Sequence, residues 1–130
     1  MKMVLLCEDD EDMVQLTRLV VERAGYRLLR AADGRQAVDM GLKDNPELIL
    51  MDIRMPNMDG IAATRVLRDK GFKKPIVILT GSEAGDDRAR ASKAGCTGFI
   101  LKTLAMSDVC EALERLVGSA EDFDVSGAQS

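Results

Sequence analysis

The chain has 130 residues and a net charge of −4, from 22 acidic against 18 basic side chains and no histidine. Its length suits one domain with its own core, and the acidic balance argues against direct binding to nucleic acid. The lack of histidine excludes histidine-based acid–base catalysis and catalytic triads. We expect a cytoplasmic protein with no membrane partner, because no apolar run approaches the roughly 20 residues of a membrane span and the start lacks the pattern of a signal peptide.

Five short apolar runs predict β-strands. They are Met3 to Cys7, 26–32, Leu48 to Met51, Pro75 to Thr80 and 98–102. Nearly continuous apolar runs are typical of strands that are covered on both faces, as in a parallel sheet. Strands that alternate with helices five times imply an open, doubly wound α/β sheet. Ligands bind such sheets at the carboxyl ends of the strands, so we expect the functional residues there.

Helical periodicity fills the segments between the strands. The predicted apolar faces are Met13, Leu16, Val20 and Ala24, then Ala37, Val38 and Leu42, and last Met106, Val109, Cys110, Leu113, Leu116 and Val117. Asp59 is expected to cap a third helix through Leu67, while Asp10 and Asp12 cap and charge the start of the first. The fourth helix offers only alanines as apolar side chains through Ala94. We therefore expect this helix and the loop before it to be the least stable part of the fold. The alternative is an ordinary helix with a solvated face.

The three cysteines and the C-terminal tail predict no function. Cys7, Cys96 and Cys110 are widely spaced among apolar or small neighbours, so we expect reduced packing residues. Residues 118–130 are rich in Gly, Ser, Ala and acids and lack an amphipathic period. We interpret them as a flexible tail or the start of a linker, which leaves residues 1–117 as one domain.

Carboxylates end two of the predicted strands. Asp52 follows the apolar run from Leu48, and burying a carboxylate costs free energy unless a cation or hydrogen bonds compensate it. The first strand runs into Glu8, Asp9 and Asp10, and the predicted topology brings these two strand ends together. Converging carboxylates repel one another and call for a cation. A ligand set made of oxygens indicates a hard divalent ion such as Mg²⁺.

A hydroxyl and an ammonium group lie at the ends of the fourth and fifth predicted strands, at the same edge of the sheet. Thr80 closes the fourth strand and Lys102 follows the fifth. Together they suit an anion held beside the metal, the hydroxyl by a hydrogen bond and the lysine by its charge.

These residues lie in four motifs, which read "CEDD", "LILMDIRMPNMDG", "ILTG" and "AGCTGFILK" in chain order. With this set the chain resembles the response-regulator receiver domain of two-component signalling, from about Lys2 to Val117. The resemblance implies a flavodoxin-like sheet of five parallel strands in the order 2-1-3-4-5. It also implies a histidine kinase or a histidine phosphotransfer protein as phosphoryl donor, and a downstream effector as the partner that reads the output.

The resemblance implies a role for each site residue. By that likeness Asp52 is the phosphoacceptor, and Glu8 and Asp9 bind Mg²⁺ together with Asp52 and the backbone carbonyl of Arg54. Thr80, the Gly81 amide and Lys102 hold the phosphoryl group, and Thr80 and Phe99 form the conformational switch. The domain would catalyse only its own phosphorylation and dephosphorylation, and would act on no external metabolite.

Three positions depart from the family pattern, and one of them is Gly81, which stands where a small alanine is usual. Thr103 replaces the usual proline after the lysine, and because a cis bond before a non-proline residue costs about 3 kcal/mol, we expect a trans Lys102–Thr103 bond and a rearranged loop. Phe99 lacks the hydroxyl of a tyrosine, so packing alone would drive its rotation.

Three functions remain open. The first is the phosphorylation-dependent receiver, whose output face leaves room for a homodimer. The second is a phosphatase with an aspartyl nucleophile, which would want an acid two residues after Asp52, where this chain has Arg54. The third is a degenerate receiver that binds a partner without being phosphorylated, for which Thr103 leaves some room.

Overall fold

The computed structural model describes residues 2–81, 85–102 and Arg115. Five strands form one parallel sheet: β1 (Met3–Cys7), β2 (Arg27–Ala31), β3 (Leu48–Asp52), β4 (Ile76–Thr80) and β5 (Gly98–Leu101). Four helices connect them: α1 (Glu11–Arg23), α2 (Gly34–Asp44), α3 (Gly60–Asp69) and α4 (Gly85–Ala94). The strand order is β2-β1-β3-β4-β5, which confirms the predicted doubly wound sheet and its order.

The sheet is covered on both faces, as the continuous apolar runs predict. Along β1, Leu5 and Cys7 point into the core beneath α2, α3 and α4, while Val4 and Leu6 point into the core beneath α1. Every residue of β3 and β4 is buried. The period of two along each strand therefore supplies two separate cores from one sheet.

The apolar face predicted for α1 is confirmed only in part: Met13 and Val20 are partly buried against the core beneath α1, whereas Leu16 and Ala24 are exposed. Its buried residues are Val14, Thr17 and Val21, whereas Leu16 is 52% exposed. The prediction passed over the buried stripe because Thr17, its central member, is polar. Leu42 of α2 is likewise exposed, although its neighbours Ala37 and Val38 are buried as predicted.

Aspartates cap three of the helices. The side chains of Asp10, Asp33 and Asp59 accept hydrogen bonds from backbone amides in the first turns of α1, α2 and α3. The predicted caps at Asp10 and Asp59 are therefore confirmed. At the other end of α1, Gly25 has a φ of +91°, a conformation that favours glycine and stops the helix there.

Arg68 of α3 ties together the loops at the amino ends of β4 and β5. Its guanidinium donates to the carbonyls of Gly95 (2.8 Å), Phe72 (2.9 Å) and Lys74 (2.7 Å) and lies over the Phe72 ring. These carbonyls belong to segments far apart in sequence. Arg68 therefore fixes where α4 ends relative to α3.

Replacing Arg68 by methionine should destabilise the fold by about 2–4 kcal/mol, because three carbonyls lose a charged donor at once. The matched control is Arg65→Met, since Arg65 lies on the same helix and is exposed. Urea unfolding measures both variants. Equal unfolding midpoints for the two would show that the Arg68 contacts contribute nothing.

Several sequence predictions fall outside the described residues. These are the last helix at 106–117, the Lys102–Thr103 bond, Cys110 and the tail from 118. Cys7 and Cys96 are free thiols, as expected for packing residues. None of the helices in the described ranges combines the length and the apolar composition that a bilayer crossing requires.

Candidate functional site

Four neighbouring strands bring their functional residues to one edge of the sheet. In chain order, the residues at these strand ends are Glu8, Asp52, Thr80 and Lys102. The parallel register pairs Asp52 with Leu79 and Thr80 with Leu101, so the side chains meet at the carboxyl ends of their strands. This is the edge at which the sequence placed the site.

Three carboxylates converge at this edge. One oxygen from each of Glu8, Asp9 and Asp52 lies within 4.8 Å of the others. Glu8 is fully buried and Asp52 is 6% exposed, whereas Asp9 is open to solvent. Two of the three charges are therefore removed from water, which makes their mutual repulsion strong.

Lys102 enters between the two buried carboxylates. Its Nζ lies 3.0 Å from Glu8 Oε1 and 3.3 Å from Asp52 Oδ1. The ammonium offsets the charge on Oε1, which is buried and has no other partner among the described residues. The other oxygen, Oε2, accepts a hydrogen bond from the Asp10 amide at 3.2 Å. Lys102 thus offsets part of the carboxylate charge, and because a carboxylate oxygen has two lone pairs, Oε1 can also take a further ligand.

Burial raises the pKa of both Glu8 and Asp52, although Lys102 opposes the shift at each. Partial burial alone would lower the pKa of Lys102, but the contacts with Glu8 and Asp52 raise it overall. The lysine is therefore held charged. Ionising the two carboxyl groups carries a cost that a bound cation would remove.

Without divalent ions, Asp52→Asn should stabilise the protein at neutral pH by about 1 kcal/mol. A carboxyl whose folded pKa is raised adds stability below its ordinary pKa, and that contribution is lost as the pH rises through the folded value. The difference between Asp52→Asn and wild type should therefore vanish near pH 4 and grow toward pH 7. Urea unfolding in EDTA at a series of pH values measures it, and a difference of the opposite sign at pH 7 would contradict the assignment.

The three carboxylates fit a magnesium ion. Their donors are all oxygen, and among the described residues the buried Glu8 Oε1 is contacted only by the Lys102 ammonium. Mg²⁺ binds one or two carboxylates and completes its shell with water, backbone carbonyls or phosphate oxygens. The residues present could therefore hold this ion next to Asp52.

A cavity of about 350 Å³ opens in front of Asp52. Its lining residues are Asp52, Ile53, Arg54, Leu79, Thr80, Gly81, Asp87 and Lys102. Thr80 is nearly buried at 6% exposure, and Arg54 is exposed at the rim. The predicted phosphate-binding residues and Arg54 thus share one space. Asp87, from the first turn of α4, was not predicted and adds a carboxylate to the wall.

Phe99 lies on β5, where it pairs with Ile78 of β4, and is half buried against the core. The Arg88 guanidinium covers its ring at 4.6 Å from the centroid. This cation–π contact joins α4 to β5. The contact was not predicted, because Arg88 lies in a segment that the sequence describes only as a weakly apolar helix.

The loop after β3 is fixed by contacts that the sequence did not reveal. Asn57, at a positive φ of 68°, donates to Asp33 Oδ2 at 2.7 Å, and Asp33 Oδ1 accepts from the Gln36 amide at 2.8 Å. The hydrogen bonds from Gln36 and Asn57 lower the pKa of Asp33. The start of α2 thereby anchors the loop that follows Asp52.

Comparison with known proteins agrees with this geometry. The family model of the response regulator receiver domain matches residues 4–114. The polar-differentiation response regulator DivK of Brucella anthropi is 31% identical over 121 residues, which cover 92% of this chain and 98% of DivK.

Two solved structures show the same fold and a related sequence. The receiver domain of a sensor histidine kinase from Pseudomonas aeruginosa, with a magnesium ion coordinated in its active site cleft, is 32% identical with a TM-score of 0.82, covering 91% of this chain and 98% of that one. The chemotaxis protein CheY4 of Vibrio cholerae is 28% identical with a TM-score of 0.83, covering 90% and 99%. The chain therefore belongs to the response regulator receiver domain family.

Proposed function

We propose that this chain is a phosphorylation-dependent signalling receiver in which Asp52 accepts a phosphoryl group from a histidine kinase or a histidine phosphotransfer protein. Receiver domains act as signalling switches rather than as conventional enzymes. The observation that carries the proposal is the position of Asp52. It ends a fully buried strand, contacts Lys102 at 3.3 Å and faces a cavity large enough for a phosphoryl group.

A carboxylate at the end of a buried strand is both fixed and reachable. An Asp52 oxygen attacks the phosphorus of a phosphohistidine, a P–O bond forms, and the P–N bond to the donor imidazole breaks. The leaving imidazole takes a proton from water. The product is an acyl phosphate on Asp52, so the only covalent change in this chain is at that side chain.

Other residues of the site would hold the transferred group. Lys102 exchanges its contact with Asp52 for a phosphoryl oxygen, and Thr80 and the Gly81 amide donate hydrogen bonds to the others. Bound Mg²⁺, held by Glu8, Asp9, Asp52 and the Arg54 carbonyl, would supply positive charge to the phosphoryl oxygens. The magnesium reported in the cleft of the Pseudomonas receiver supports this part of the proposal.

Phosphorylation would reach the surface through Thr80 and Phe99. The phosphoryl group adds charge and acceptor oxygens that draw the Thr80 hydroxyl inward. The space it leaves admits the Phe99 ring, which must first leave the Arg88 guanidinium. The result is a population shift that changes the surface made by α4, β5 and the predicted last helix, where an effector or a second copy would bind.

Intact mass after incubation with acetyl phosphate tests the function. Wild type with Mg²⁺ should gain one phosphoryl group, and the gain should disappear in EDTA and in Asp52→Asn. No gain by a protein that binds Mg²⁺ would overturn the proposal in favour of a degenerate receiver that binds its partner unphosphorylated. Turnover of a generic phosphate ester would instead support the alternative of a phosphatase with an aspartyl nucleophile.

A further inference from the structure

Arg30, near the end of the edge strand β2, reaches across to the acidic segment after β1. Its Nε donates to the Glu8 carbonyl at 2.9 Å, and its Nη2 donates to the Asp9 carbonyl at 3.4 Å. Its Nη1 pairs with Glu11 Oε2 at 2.8 Å. One guanidinium therefore holds the backbone of two consecutive acids whose side chains face Asp52.

The segment that Arg30 holds is difficult to keep in one conformation. It contains five acids in a row, from Glu8 to Asp12. Like charges at this spacing repel, and the repulsion favours conformations that spread the carboxylates apart. Lys102 contacts the segment from the inside through the Glu8 side chain, whereas Arg30 contacts its backbone from the solvent side.

The backbone contacts fix the direction of the Glu8 side chain. The Glu8 amide donates to the Ala31 carbonyl at 3.0 Å while the Glu8 carbonyl accepts from Arg30, so β2 holds the residue on both sides. Metal ligands bind well only when they are held close to their final geometry before the ion arrives. Residues that orient ligands from behind commonly change metal affinity by about 10–100-fold.

We propose that Arg30 is a positioning residue for the metal-binding acids, holding the Glu8 and Asp9 carbonyls so that both carboxylates face Asp52 before the cation binds. The inference rests on the proposed function, because the cation is the Mg²⁺ that supports phosphorylation of Asp52. The side chain touches neither the metal nor the phosphoryl group. It acts through the backbone of the ligands.

Charge and position make opposite predictions for Arg30. As a positive charge near the site, Arg30 repels Mg²⁺, so its removal would tighten metal binding if charge were its only effect. As a positioning residue it favours the binding geometry, so its removal weakens metal binding. The sign of the change in affinity therefore decides between the two.

Isothermal titration with Mg²⁺ measures that sign in the folded protein. Arg30→Met should weaken Mg²⁺ binding about tenfold. Arg30→Lys keeps the charge but cannot span two carbonyls, so it should weaken binding about threefold. Glu11→Gln is the control, since it removes the carboxylate partner and leaves both carbonyl contacts. Its affinity should stay within about twofold of wild type, because the Glu11 side chain is largely exposed.

The outcomes separate this inference from the proposed function. Wild-type affinity in Arg30→Lys, or tighter binding by Arg30→Met, overturns the positioning role while leaving phosphorylation of Asp52 intact. A wild-type protein that binds no Mg²⁺ overturns both. If Arg30→Met fails to fold, the Mg²⁺ affinity of Arg30→Lys still tests the positioning role. A merely structural role would lower the urea midpoint without changing the Mg²⁺ affinity of the folded variant.

Discussion

Lys102→Met should slow phosphorylation by acetyl phosphate at least about 100-fold. In the structure, the Lys102 ammonium is the cation that lies between Glu8 Oε1 and Asp52 Oδ1, at 3.0 and 3.3 Å. In the reaction the Lys102 ammonium would move to the phosphoryl oxygens, where negative charge is then located. Methionine keeps much of the side-chain length and removes the charge, so the variant loses this stabilisation of the transition state. A time course of intact mass, with saturating Mg²⁺, measures the rate.

The same substitution should also destabilise the metal-free protein at neutral pH, by about 2–3 kcal/mol, because it leaves buried carboxylates without their cation. Lys74→Met is the matched control. Lys74 pairs with Glu47 at 3.4 Å, at the opposite edge of the sheet, and its side chain is 35% exposed. This control should phosphorylate at the wild-type rate. A wild-type rate in Lys102→Met would remove the lysine from the proposed mechanism.

Gly60→Ala should cost about 3 kcal/mol or more of stability, and should impair phosphorylation in whatever fraction still folds. A Cβ at Gly60 would collide with the backbone carbonyl oxygen of Asp52 and lie 2.8 Å from Met51 Cγ. The Gly60 amide also donates to the Ile53 carbonyl at 2.8 Å, so the start of α3 lies directly against the chain at the phosphoacceptor. The start of α3 and the end of β3 cannot move apart without displacing Asp52.

Gly98→Ala is the control for Gly60→Ala. Gly98 lies in β5, its φ is not positive, and nothing lies within 4 Å of the position of an added Cβ. It should change the free energy of unfolding by less than about 1 kcal/mol, or raise it slightly, because glycine is a poor strand residue. Thermal unfolding compares the two variants. Similar midpoints would show that α3 can move away from Asp52 without cost.

The strand ends could be predicted because local pattern determines them. Each continuous apolar run became a strand with at most small changes at its ends, and the carboxyl ends of parallel strands must meet at one edge. Asp52, Thr80 and Lys102 were therefore placed at the same edge from the ends of the apolar runs. Asp59 was also predictable, since an aspartate before a helical period is a common cap.

Contacts that depend on tertiary structure were not predictable. The guanidinium of Arg30 contacts Asp9 and Glu8, which lie 21 and 22 positions earlier in the chain. No local sequence pattern indicates that an arginine in a strand will hold a distant loop. The α1 face was predicted only in part, for a related reason. Thr17 is buried between Val14 and Val21, and an apolar period does not count a threonine.

The measurement that tests the central claim most directly is the location of the phosphoryl group. Borohydride reduces an acyl phosphate on aspartate to homoserine but leaves a phosphate ester on a hydroxyl unchanged. After phosphorylation with acetyl phosphate and Mg²⁺, reduction and peptide mass mapping should place homoserine at position 52. Reduction at Glu8 or Asp9, or a phosphate retained on Thr80, would contradict the assignment of Asp52 as the phosphoacceptor.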